Sequence, residues 1–95
     1  MGRKDKELYG YVADRLAQAE AGRAEALYDL GLLYSTGQGV DQNYVEAHKW
    51  FNLAAIKGVN RATVDRLEVA QELDTRSIAE AQRLARQWLT SHSSH

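Results

Sequence analysis

Three histidines, a pair of closely spaced glycines and three arginines on one helical face are the residues of this chain best suited to chemistry. His92 and His95 stand three apart, a spacing at which two imidazoles on a helix can share a metal ion, but the sequence brings no third ligand near them. His48 lies between Ala47 and Lys49, one place off an apolar stripe, and reads as a solvated surface residue. No spacing assembles a serine, a histidine and an acid, and the carboxylates scatter over helix surfaces. Gly37-Gln38-Gly39 looks at first like a phosphate loop, yet it lacks the third glycine, the preceding strand and the Lys-Ser/Thr pair of one. Its glycines read instead as turn residues that supply positive φ. There is no cysteine, which removes disulfides, thiolate metal sites and cysteine nucleophiles. The expectation is a non-enzyme with no catalytic residue, no cofactor and no metal.

Arg76, Arg83 and Arg86 share one face of the last helical segment. Glu80 stands between them at i,i+3 and i,i+4 spacing, so the face reads as exposed and salt-bridged. Charge over the whole chain is nearly balanced, 12 basic against 13 acidic residues, which argues against a nucleic-acid partner held through phosphates. The longest apolar run, Leu53 to Ile56, is far below the roughly 20 residues that span a bilayer. The first residues carry basic groups with no apolar core behind them, unlike a secretory signal, and Lys6 stands where a myristoylation motif wants Ser or Thr. These features together predict a cytoplasmic protein with no membrane contact.

The elements that must position these residues are helices. Proline is absent and the apolar residues recur at helical spacing. A first helix over 5–21 places Leu8, Val12, Leu16 and Ala19 on one face and stops at Gly22. A second, near 23–35, buries Ala26, Leu30, Gly31 and Tyr34 before the 36–39 turn breaks it. Asn43, with Glu46 three residues on, has capping-box spacing for a third helix, which buries Ala47, Trp50, Phe51, Ala54 and Ala55 and closes at Gly58. Asn60 is the expected cap of a fourth, with Val64, Leu67, Ala70 and Leu73 inward. Asp74 or Ser77 starts a fifth, whose apolar face is Ile78, Ala81, Ala85, Trp88 and Leu89.

One segment, 24–59, is denser in pattern than the rest. It holds Leu30-Gly31, Tyr34, Gly37-Gln38-Gly39-Val40, Ala47, Trp50, Ala54-Ala55 and Gly58. In these residues the chain resembles the Sel-one-like repeat (SLR) family of tetratricopeptide-like helical repeats. An internal repeat supports the reading: Gly22 and Gly58 are 36 residues apart, as are Ala26 and Ala62, and Trp88 follows Trp50 by 38. The resemblance implies an all-α, short right-handed array of helical hairpins, an α-solenoid of about two and a half units and five helices in a single domain. The expected division is a half unit at 5–21, a full repeat at 24–59, a degenerate capping unit at 60–90 and a disordered tail at 91–95. In the degenerate unit Arg66-Leu67 replaces Leu-Gly and no Gly-x-Gly loop joins the helices.

In proteins of this family the first helix of each unit lines a concave inner side. The resemblance therefore implies that Glu25, Tyr28, Asp29 and Leu32 lie beside their counterparts Arg61, Val64, Asp65 and Glu68. Tyr28 and Leu32 are the expected exposed anchors, against the alternative that Tyr28 packs on a neighbouring helix. The expected function is a protein-binding module or adaptor that takes a partner protein or peptide in this groove. The alternatives are a self-associating scaffold or a small regulatory subunit of a larger complex. Self-association as a weak homodimer would use Leu8 and Val12 at one open edge or Leu84 and Trp88 at the other.

Overall fold

The glycines and caps place the helix ends where their chemistry requires. A computed structural model describes residues 3–92 of the backbone and 6–92 of the side chains. Its helices are α1 (Arg3–Glu20), α2 (Ala24–Thr36), α3 (Tyr44–Ile56), α4 (Arg61–Ala70) and α5 (Thr75–Ser91), with no strand among the described residues. Gly37 ends α2 at φ 73°, and its N–H donates to the Leu33 carbonyl. Gly39, at φ 75°, is needed twice: a Cβ there would lie 2.8 Å from Val12 and 3.3 Å from the Leu8 carbonyl. The turn after α2 therefore lies directly on α1, and Leu8 and Val12 are spent on it rather than left at an open edge.

Asn43 caps α3 by accepting from the Glu46 N–H at 3.1 Å, while its own N–H donates to Tyr34 at 2.9 Å. The box is not reciprocal, because the Glu46 carboxylate turns to the Trp50 indole N–H at 3.1 Å and to Lys49. Asp74 caps α5 by accepting from the Ser77 N–H at 2.8 Å. Asn60 does not act as the expected side-chain cap. Its backbone is already helical, φ −62° and ψ −38°, and its side chain accepts no capping bond, since a capping side chain needs the extended backbone that Asn43 and Asp74 have.

At the centre of the packing is α3, which meets α2, α4 and α5, whereas α1 packs chiefly on α2. Phe51, Leu27, Leu30 and Leu53 are its largest fully buried side chains. Trp50 is buried as its place on the Ala47–Ala54 stripe requires, and meets Trp88 edge-on at 6.3 Å. Close approach of α2 to α3 depends on Gly31, where a Cβ would sit 2.4 Å from the Phe51 ring.

The next hairpin does not close in the same way. α4 and α5 barely touch each other, although both pack on α3. Leu67 occupies the place that Gly31 has one unit earlier, so α4 lacks the glycine that lets α2 and α3 approach closely. The expectation that Val64 and Leu67 point inward is thereby corrected. They are 58% and 60% exposed, and α4 instead buries Ala62 and Val69. Of the expected disordered tail, Ser91 is the last residue of α5 and His92 packs against Trp88; residues 93–95 lie outside the described ones.

Candidate functional site

The stripes on α2 and α4 do lie together. Arg61 reaches Glu25 at 2.5 Å, the Tyr28 hydroxyl donates to Asp65 at 2.5 Å, and the Arg61 guanidinium sits 4.3 Å over the Tyr28 ring. Every one of these contacts joins one unit to the next. Tyr28 is consequently no exposed anchor. It is 9% exposed, its ring tilted against Phe51 at 5.5 Å, because the helix that follows in the repeat covers it. The bond to Asp65 and then burial hold its hydroxyl above the ordinary tyrosine range. Asp29 turns to α1 and takes Arg15 at 3.1 Å.

Leu32, Val64 and Glu68 remain open to solvent. Beside them runs an open groove of about 590 Å³, with Leu32, Tyr44 and Phe51 on its apolar side and Asp65, Glu68 and Glu72 on its acidic side. No basic side chain forms an ion pair with Asp65, Glu68 or Glu72 among the described residues. Arg61 is held by Glu25, and Arg66 donates to Asn52 at 2.6 Å. The groove can accept an apolar group on its floor and a cation at its rim.

The Sel1 repeat family model matches residues 24–59, which are α2, α3 and the turn between them. Residues 24–59 of this all-helical chain are thus a Sel1 repeat. Comparison with curated proteins and with solved structures gave no match. Sel1 repeats are a protein-interaction fold. The matched Sel1 repeat supplies Glu25, Tyr28, Asp29 and Leu32, while Arg61, Val64, Asp65 and Glu68 lie beyond it.

Outside the groove, the Sel1-repeat scaffold corrects the reading of two histidines. His48 is not solvated: it is 4% exposed, and Nδ1 has no hydrogen-bond partner. Burial, and then the nearby Arg66 charge, hold its imidazole below the usual range. It is buried because α3 is covered on several sides at once, which a one-sided stripe on a helical wheel does not anticipate. His92 stacks on the Trp88 ring at 3.9 Å and 10°, its Nδ1 lies 2.8 Å from the Trp88 carbonyl, and its Nε2 meets the Glu20 carboxylate at the end of α1. The i,i+4 spacing of Trp88 and His92 was the sequence signal for this stack. No group of three His, Cys, Asp or Glu gathers as a metal site among the described residues, and His95 lies outside them.

Proposed function

We propose that this Sel1-like protein is a non-enzymatic cytoplasmic adaptor that binds a segment of a partner protein along the α2–α4 groove. The observation that carries the reading is the cross-unit register: Glu25 to Arg61 and Tyr28 to Asp65 fix two first helices side by side, leaving Leu32 and three carboxylates without a cation along one open channel. Tyr28 and Asp65 build the wall. Leu32, Val64 and Glu68 make the contact. A bound segment would present an apolar side chain to Leu32 and Tyr44 and a basic one to Glu68 and Glu72, with the exposed charges serving selectivity more than affinity.

Selection from a random peptide display library tests this without knowledge of the partner. Wild-type protein should enrich sequences that pair an apolar with a basic residue, and Leu32→Asp or Glu68→Lys should abolish that enrichment with the helical circular dichroism unchanged. Enrichment indifferent to both substitutions would place recognition elsewhere. The exposure of Val64 and Leu67 gives the self-associating scaffold its own support, and a regulatory subunit role would use the same groove toward an enzyme partner.

A further inference from the structure

We propose that the protein has a second interaction surface, on the side of α3 and α5, which takes an acidic segment of a partner. The arginine face expected to be salt-bridged is only partly so. Glu80 is spent on Arg83 through two bonds, at 2.6 and 2.9 Å, and no carboxylate lies within ion-pair reach of Arg76 or Arg86 among the described residues. All three arginines, with Ser77 and the Arg83-bound Glu80, line one open groove of about 640 Å³ whose apolar side is Val45 and Ala79.

The position of the groove adds to its charge. α3 and α5 run in the same direction, since Trp50 at the middle of α3 meets Trp88 late in α5, while Val45 in the first turn of α3 shares the groove with Arg76 and Ser77 in the first turn of α5. One end of the groove, at Val45, Arg76 and Ser77, therefore opens near two helix N-termini, whose aligned peptide dipoles favour negative charge there. The neighbouring acids are already engaged: Glu46 with Trp50 and Lys49, Asp74 with the Ser77 N–H, and Glu80 with Arg83. The repeat points the same way. His48 on α3 is buried, and its counterpart 38 residues on is the exposed Arg86. From Arg76 to Arg86 is ten helical residues, about 15 Å, the reach of an extended segment of about five residues. Guanidinium forks matched to carboxylates, with Val45 and Ala79 between them, fit a short strand of alternating acidic and apolar residues.

This surface does not depend on the α2–α4 groove, and the two can be tested apart. The probe is a fluorescein-labelled synthetic peptide alternating glutamate and leucine, titrated by anisotropy against the full chain at low salt. Saturable binding is expected, weakened about tenfold or more in Arg76→Glu/Arg86→Glu, the effect of losing two exposed ion pairs at the favourable end of their range. Arg23→Glu/Lys57→Glu, which removes equal charge at other exposed positions, should leave binding intact. Leu32→Asp should leave it intact as well. Should the double glutamate variant melt below wild type, Arg76→Gln/Arg86→Gln gives the same readout with less disturbance. Equal loss in the Arg23/Lys57 control, equal binding of a lysine–leucine peptide, or tighter binding of a single-stranded oligonucleotide than of the acidic peptide would each overturn the proposal.

Discussion

His48 shows how much a single buried polar residue decides. Its ring is enclosed, Nδ1 is unpartnered, and Arg66 adds a like charge to any proton it accepts. The neutral form is therefore the folded form. An unfolded chain regains an ordinary imidazole that protonates near pH 6.5, so it binds protons over the interval where the folded protein does not. Stability should then fall as pH drops below that value, down to the lowered value of the folded state. Because His92 acts in the opposite sense, the loss is read as a difference: from neutral to mildly acidic pH the wild type should lose stability relative to His48→Gln. An NMR titration placing His48 at or above the ordinary imidazole value would refute the account.

The helices divide into those the sequence made legible and those that tertiary contact decides. Gly22, Gly37 and Gly58 marked three helix ends, Asn43 and Asp74 marked two starts, and the Trp50 stripe marked the buried face of α3, because each acts through its own local backbone or period. For Tyr28 the sequence left exposed anchor and packed ring both open, and Val64 and Leu67, expected inward, are exposed. Whether each is covered depends on where the neighbouring helices go: α3 and α4 meet Tyr28, whereas α5 barely touches α4. The groove residues were legible as a set through the 36-residue offset, but not which of them are wall and which are contact.

Two predictions belong to this scale. Gly31→Ala should destabilise by about 1–3 kcal/mol, since the Phe51 ring must move to admit the methyl. Gly10→Ala, within α1 and with nothing near its absent Cβ, should stabilise by about 0.5–1 kcal/mol. Equal effects in thermal unfolding would undo the close-approach argument.

The second concerns the tie between α1 and α5. Both nitrogens of His92 face acceptors, the Trp88 carbonyl and the Glu20 carboxylate, so only the imidazolium satisfies both. The Glu20 bond, then the Trp88 carbonyl, raise its titration above the ordinary value. Its contribution is thus fully present below about pH 6.5 and is lost as pH rises through the raised folded value. His92→Gln should lower the melting temperature in mild acid and do little in alkaline buffer; a loss independent of pH would reduce the contact to packing.

At the scale of the molecule, extents of 38 × 35 × 21 Å describe a slab two helices thick, since a helix with its side chains is about 10–12 Å across. A slab of helical repeats has two broad faces and two edges, and the edges decide between adaptor and scaffold. At the α1 edge Leu8 and Val12 are occupied by the Gly39 turn, and on α5 Trp88 is stacked under His92. Neither is free to meet a second copy as the sequence suggested. Besides the separate exposed side chains of Tyr9 and Tyr11 on α1, Leu32 on α2 and Ile56 on α3, the exposed apolar surface is the Val64–Leu67 turn of α4, from which α5 stands away. Two residues one turn apart on a ten-residue helix offer far less than the roughly 1,200 Å² that a stable interface buries. Sedimentation over a wide concentration range should therefore find a monomer, with weak association only at the highest loading and none in Leu67→Lys. A tight dimer that survives Leu67→Lys, and is dispersed instead by a charge at Leu84, would make assembly the primary role and the α2–α4 groove secondary to it.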